Sequence, residues 1–340
     1  MSYEELMLRA ITKADAFKYT AKPNPVVGAI LEKDGEIISE GYHKIFGHRH
    51  AEINALSSAE KLKNIKFNSF SELTLICTLE PCSHIGKTGS CADAIVKSGI
   101  KRVIIGSVDP SSKVSGKGIE ILRKNNIEVE VGMHQDLVAK QNRFFFYRHK
   151  NNMPFITVKI ASSLDGKSHY KNNERVFISS KESREDVQLL RAEYDAILTG
   201  TNTFLNDNPR MNARVNFQVN QPEKILLSTS LGVIKNKNRI PFFQGGKVTH
   251  IEINLLERVL PILLENDRCS ILVEAGPQLA NAFLKAGYVN ELIIYTSQKK
   301  LGQNGVDWFK ENNAIENYGF KLESSYKINT DLKEIFKRNE

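Results

Sequence analysis

Apolar positions along the chain alternate between two periods. Residues 4–18 place them at helical spacing, Val26 to Leu31 and Glu36 to Gly41 read as strands around a turn at Lys33-Asp34-Gly35, and Ala51 to Leu62 returns to the helical period. Leu73 to Leu79 is an apolar strand running into Glu80-Pro81-Cys82. Arg102 to Val108, Gly116 to Lys124 and Ile127 to Val131 then give strand, helix and strand, and Asp136 to His149 gives a closing helix. Strands alternating with helices predict an α/β layered domain.

Asn151-Asn152-Met153-Pro154 reads as a linker, because proline disfavours helix in the residue before it. The expected boundary lies near 147–153, giving domains 1–147 and 153–340. In the second, Phe155 to Ala161, Asp195 to Gly200, Lys224 to Ser228, Ser270 to Glu274 and Glu291 to Ser297 fit strands, and Lys181 to Ala192 and Pro277 to Ala286 fit helices. Ala161 to Gly166 and Thr201 to Pro209 are expected as polar loops at strand ends, where α/β proteins place their sites. The pattern is that of a second α/β domain, without repeats.

Composition narrows the function classes. The 340 residues are 41% hydrophobic and 25% charged, ordinary for globular protein and too long for one core. No apolar stretch approaches the roughly 20 residues that span a bilayer, and Met1-Ser2-Tyr3-Glu4-Glu5 lacks the basic start of a signal peptide, so no membrane role is expected. Four cysteines do not suggest a disulfide framework, which implies a reducing, cytoplasmic compartment. The net charge of +8 divides as +3 over residues 1–146 and +5 over the rest. No basic half marks a nucleic-acid partner, and mild basicity suits a phosphorylated small molecule equally well.

The chemistry concentrates in His50-Ala51-Glu52, Pro81-Cys82 and Cys91. One imidazole and two thiolates can fill three positions of a zinc tetrahedron and leave the fourth to water, while a non-ligating Glu52 two residues after the histidine moves protons. At a helix start His50 and Glu52 reach one small volume, and Cys82, ending a strand, can face the amino end of a following helix. These are the parts of a hydrolytic deaminase. A closed structural zinc with His48 or His84 as fourth ligand would leave Glu52 unexplained. Cys77 and Cys269 lie in apolar runs and are expected as buried small hydrophobes. In the second domain, Glu274-Ala275-Gly276-Pro277 between a strand and a helix could bind phosphate through backbone amides, although a turn needing Gly and Pro for geometry alone looks the same.

Eight residues separate Cys82 from Cys91, where cytidine and transfer-RNA deaminases have two between their cysteines. With Pro23-Asn24-Pro25, Val27-Gly28, His50-Ala51-Glu52, Glu80 through Thr88, Asp109-Pro110 and Val114 through Gly118, the chain resembles the bifunctional riboflavin-biosynthesis deaminase/reductase family. Val158 through Lys167, Asp186 through Arg191 and Val273 through Pro277 extend the resemblance over nearly the whole chain, with about 210–265 the least informative.

The resemblance implies a cytidine-deaminase-like three-layer domain followed by a dihydrofolate-reductase-like α/β domain that uses NADPH. It implies one zinc on His50, Cys82 and Cys91, Glu52 as proton shuttle, and Asn24, His43, His84 and Lys87 on the substrate. In the reductase half it implies catalytic Lys159, Asp207 and Glu274. Ala161, Phe177, Thr203, Asp207, Thr229, Gly276, Pro277, Gln278, Leu279, Ala280, Asn281 and Ala282 would line the cofactor. Arg175, Arg191, Met211, Arg214 and Glu274 would line the substrate. A homo-oligomer is also implied.

Departures from the family pattern are Gly47-His48-Arg49, Gly89-Ser90, Phe177 for Trp, and Arg175 and Thr229 where the family often has Ser. The activity implied is zinc-dependent deamination of a phosphoribosylamino diaminopyrimidine, then NADPH-dependent reduction of its ribose to a ribityl chain. The alternative is a deaminase of nucleic-acid bases with a non-catalytic C-terminal domain. It would need a basic, aromatic-lined groove that the even charge distribution does not suggest.

Overall fold

A computed structural model of the chain describes residues 1–63, 70–83, 89–172, 177–228, 240–252, 255–309 and 315–339. Contacts gather it into two compact units, Met1–Asn152 and Met153–Glu340.

In the first unit, Ser2 and Glu5 form a capping box at the start of α1 (Tyr3–Ala14), which buries Leu6, Met7, Ala10, Ile11 and Ala14 along one stripe. The helical period expected through residue 18 is interrupted by a tighter turn at Asp15–Phe17 before the short α2 (Lys18–Ala21). β1 (Gly28–Lys33) and β2 (Glu36–Tyr42) pair antiparallel. α3 (Ala51–Lys63), β3 (Thr74–Leu79), α4 (Cys91–Ser98), β4 (Arg102–Ser107), α5 (Lys117–Lys124), β5 (Glu128–Val131), α6 (Gln135–Gln141) and α7 (Arg143–Asn151) follow.

The sheet order is β2-β1-β3-β4-β5, with β3, β4 and β5 parallel. β3 is buried at every position, as a strand covered on both faces must be. Gly28 lies against Ala10 of α1, while Gly41, the partner of the next residue Ala29, lies against Ala51 and Ala55 of α3. Neighbouring strand residues point to opposite faces, so α1 and α3 cover opposite sides and the unit has three layers.

The single helix expected over Asp136 to His149 is two. It breaks at Asn142, whose amide accepts from Val26 N at 2.6 Å and donates to Val26 O at 3.0 Å. α7 then continues to Asn151, so the helix runs through most of the expected 147–153 boundary and takes in the first residue of the expected linker.

The second unit contains β6 (Phe155–Ser162), β7 (Lys167–Tyr170), α8 (Lys181–Glu193), β8 (Ala196–Gly200), α9 (Thr201–Asp207), β9 (Glu223–Ser228), β10 (Val248–Glu252), α10 (Leu256–Leu263), β11 (Ser270–Val273), α11 (Pro277–Lys285), β12 (Glu291–Thr296), β13 (Gly305–Asp307), β14 (Phe320–Ile328) and β15 (Asp331–Arg338). Its main sheet runs β10-β9-β8-β11-β6-β12-β15-β14, parallel through β12, with an antiparallel hairpin at one edge; β13 pairs with β7 separately.

Thr201–Asp207, expected as a polar loop, is helix because Phe204 anchors one side against Phe242 and Phe243 and Asn208 closes the turn at φ +41°. β7, β10, α10, β13, β14 and β15 were not expected. Residues of β14 and β15 are largely polar and charged, in keeping with an exposed edge rather than an apolar run.

Candidate active sites

The first site sits where α3, the end of β3 and the start of α4 meet. His50 immediately precedes α3, and Glu52 lies in its first turn. Asn54 donates to the carbonyls of Tyr42 at 2.8 Å and Arg49 at 3.3 Å, tying the helix start to β2. Cys82 follows β3, and Ser90, one of the departures from the family pattern, caps α4 by accepting from Asp93 N at 3.1 Å. Cys91 N donates to Cys82 Sγ at 3.3 Å and Ala92 N to Cys82 O at 3.1 Å, so the Cys82 thiolate does face a helix amino end.

His50 Nδ1 stands 3.5 Å from Cys82 Sγ and 3.3 Å from Cys91 Sγ, and the three donor atoms lie within 4.8 Å of one another. One nitrogen and two sulfurs this close match the donor set and tetrahedral spacing of zinc with bonds of about 2.0–2.3 Å. Between the two thiols the negative charge settles on Cys82. A hydrogen bond from the Cys91 thiol, then His50 and the Cys91 amide, lower it to about 4 despite burial. Bonding to Cys82, together with its charge, raises His50 to about 8. Glu52 is buried, and desolvation raises its carboxyl to about 7, where it can both take and give a proton.

His43 is buried beside His50, their rings 5.5 Å apart and edge-on. Its Nδ1 donates to Arg49 O at 3.1 Å and its Nε2 accepts from Asn24 Nδ2 at 3.1 Å, a pairing that fixes one tautomer. Burial lowers its pKa and favours that neutral ring. The structure thus brings together His50, Glu52, Cys82, Cys91, His43 and Asn24. His84 and Lys87 lie outside the described residues. Cys77 is buried within β3 and Cys269 beside β11.

The second site is a cavity of about 770 Å³ in the second unit. Lys159 and Ala161, two residues apart on β6, face it, and Tyr295, opposite Ala161 on β12, completes that wall. Glu274, buried at the end of β11, accepts from Lys159 Nζ at 2.9 Å, Arg191 Nε at 2.6 Å and Arg191 Nη2 at 2.9 Å. Burial alone would raise this carboxyl, but the charges of Arg191 and Lys159 outweigh it and hold it at about 2. Arg210 and Arg214 also line the cavity, and burial together with neighbouring Arg191 and Arg210 lowers the Arg214 pKa. Such crowding of cations is relieved by an anion.

Met211, at φ +48°, is buried with its sulfur 3.8 Å from Arg191 Nη2. Thr203 Oγ1 accepts from Gly276 N at 3.0 Å, which joins α9 to the turn before α11. Asn281 donates to Pro277 O at 2.7 Å and Trp308 O at 2.6 Å, and Leu279 packs over Gly200. Ala280 points into the core, Gln278 is exposed and Ala282 half-buried. Phe177 is exposed at the cavity, with the Arg184 guanidinium 4.7 Å over its ring.

Asp207 ends α9, exposed and outside the cavity lining, which resumes at Asn208. Arg175 and Thr229 lie outside the described residues. Sequence reasoning missed Lys181, Arg184 and Gln188, which line the cavity with Arg191. Their spacing of three, four and three residues places all four on one face of α8, a signal that was present in the sequence.

Residues 1–107 match the family model of the cytidine and deoxycytidylate deaminase zinc-binding region, and 154–333 match the RibD C-terminal domain. The class that fold and sites define is therefore a zinc-binding deaminase joined to a reductase domain. The RibD riboflavin biosynthesis protein of Aquifex aeolicus is 36% identical over 318 residues, 87% of each chain, and that of Escherichia coli 35% over 340, 89% of this chain and 90% of that one. The solved RibD of Acinetobacter baumannii superposes with a TM-score of 0.88 at 32% identity over 99% of both chains. The chain belongs to the RibD family, the bifunctional deaminase/reductases of riboflavin biosynthesis. That membership disfavours the reading of a nucleic-acid deaminase with a non-catalytic second domain.

Proposed function

We propose that the first unit deaminates 2,5-diamino-6-(5-phosphoribosylamino)pyrimidin-4-one to 5-amino-6-(5-phosphoribosylamino)uracil, and that the second reduces the ribose of that product to a ribityl chain with NADPH. In support, the solved diaminohydroxyphosphoribosylaminopyrimidine deaminase/5-amino-6-(5-phosphoribosylamino)uracil reductase of Thermotoga maritima superposes at TM-score 0.84, with 32% identity over 99% of both chains. The observation that carries the reading is the cluster of His50, Cys82 and Cys91 around a buried carboxylate, Glu52.

His50, Cys82 and Cys91 would hold zinc, whose contribution when bound is Lewis acidity that brings water close to neutral in pKa. Glu52 would take a proton from water and deliver it to the ring nitrogen, then carry the second proton, from the added hydroxyl, to the leaving amine, so that the oxygen of water enters as the carbonyl and ammonia departs. Its raised pKa of about 7 suits both transfers. Asn24 and His43, locked to each other, would orient the ring edge.

The reductase cavity fits a phosphorylated ligand: its volume is that of a small-molecule site and its rim is cationic. NADPH, when bound, supplies hydride. Lys159, held by Glu274, would keep a proton for the imine nitrogen of the opened sugar. Arg191 and Arg214 would hold the phosphate, with Met211 beside them. Ala161, Phe177, Thr203, Gly276 and the amino-terminal turns of α11 through Ala282 would receive the cofactor, and Asp207 would join its polar contacts. We assign His84, Lys87, Arg175 and Thr229 by position in the family pattern alone. Cytoplasmic location is supported by four cysteines free of disulfides. No described helix is long and apolar enough to cross a membrane. A homo-oligomer follows from the family resemblance.

The test follows ammonia and NADPH oxidation separately on the diaminopyrimidine substrate. Wild type should release ammonia first and consume NADPH afterwards. Glu52→Gln should cut ammonia release by about 10²–10⁴-fold, the usual contribution of a positioned acid–base group, and still reduce the deaminated compound. Undiminished ammonia release by Glu52→Gln would remove Glu52 from the mechanism.

A further inference from the structure

We propose that Glu80 is a positioning residue for the zinc site: its carboxylate clamps Pro81-Cys82 to the Asp109–Gly118 loop and the amino end of α5, and so fixes where the Cys82 sulfur stands. The proposal rests on the reading of Cys82 as a zinc ligand.

Glu80 is buried and closes β3 two residues before the ligand. Its Oε2 accepts from Asp109 N at 3.2 Å and Gly116 N at 2.9 Å, and its Oε1 from Gly118 N at 2.9 Å and Ile119 N at 3.3 Å. Four backbone donors on one buried carboxylate offset the desolvation of the charge. Two of them belong to the first turn of α5, whose N-cap, Gly116, provides no side-chain cap. A carboxylate from another element therefore caps this helix and meets the positive end of its dipole.

The same contact explains the spacing Gly116-Lys117-Gly118. Gly116 sits at φ +81°, where a side chain is disfavoured, and a Cβ on Gly118 would stand 2.0 Å from the Pro81 carbonyl oxygen. Glu80 N also donates to Ser107 O at 2.9 Å. On the other side, α4 holds Cys82 through its sulfur and its carbonyl. The ligand is thus gripped from α4 directly and from α5 through Glu80, the outer-contact arrangement by which proteins orient metal ligands.

A glutamine at this position keeps one acceptor oxygen and turns an NH₂ group toward two N–H donors, so Glu80→Gln breaks one half of the clamp. In the full chain it should hold zinc about 10–100-fold less tightly against a competing chelator, the usual cost of losing an outer contact, and alter the thiolate-to-metal absorption of the cobalt-loaded protein. NADPH oxidation on the deaminated compound should be unchanged, which shows an intact second unit, and a cooperative urea transition of the first unit shows that the variant itself is folded. Gly118→Ala, which pushes on Pro81 from the same side, should act alike and decides the question if Glu80→Gln does not fold. Wild-type zinc affinity and an unaltered cobalt spectrum in the folded variants, with Cys82→Ser losing zinc, would overturn the proposal, even if melting temperature fell. Stoichiometric, tightly held zinc in Cys82→Ser would instead overturn the ligand reading beneath it.

Discussion

Glu52 and Glu274 are both buried carboxylates, and their surroundings drive them in opposite directions. Desolvation takes Glu52 up to about 7, beside a thiolate that repels its charge and an imidazolium that only partly offsets this. Glu274 meets two cations within hydrogen-bonding distance and stays at about 2. Because the folded pKa of Glu274 is depressed from an ordinary 4.5, its stabilisation is complete above that value and is lost as pH falls toward 2. Removing one partner of a buried ion pair costs about 3–5 kcal/mol. Glu274→Gln should therefore unfold the second unit at lower denaturant near neutrality and abolish reduction, and its stability deficit should shrink between about pH 4.5 and 2. A deficit constant across that range would show that the ion pair does not stabilise the unit. The cluster of His50, Cys82 and Cys91 was legible as a candidate metal site from residue type and spacing. The divergent behaviour of the two glutamates was not, because it depends on which cations the fold places beside each.

At the scale of elements, the strands β1, β3, β4, β6, β8, β11 and β12 were legible because each is an apolar run bounded by turn residues. α9 was read as a loop because its polar residues hide a single anchoring side chain, Phe204, whose aromatic partners come from beyond β9. The break between α6 and α7 was invisible for a similar reason: Asn142 leaves the helical pattern to bind Val26, 116 residues away. That bond secures the stretch before β1 that carries Asn24. Asn142→Ala strands a buried amide and carbonyl, which typically costs about 1–3 kcal/mol each. We expect urea unfolding of the first unit to shift by at least that amount, with ammonia release less affected than stability. An unchanged midpoint would mean that Val26 is held by other contacts.

For the whole molecule, each compact unit carries its own site, so loss of one activity should leave the other. Prolonged chelation should stop ammonia release and leave NADPH oxidation on the deaminated compound intact; parallel loss of both would show that reduction also needs the metal. The division into two units with separate chemistry followed from sequence, because hydrophobic periodicity and the types of metal-ligating residues are local properties written in consecutive positions. The sheet orders, the edge hairpin of β14 and β15 and the grip of Glu80 on α5 were decided only in three dimensions. They depend on backbone donors and charges brought together from distant segments, and a backbone N–H has no signature in the sequence that shows which carboxylate it will meet.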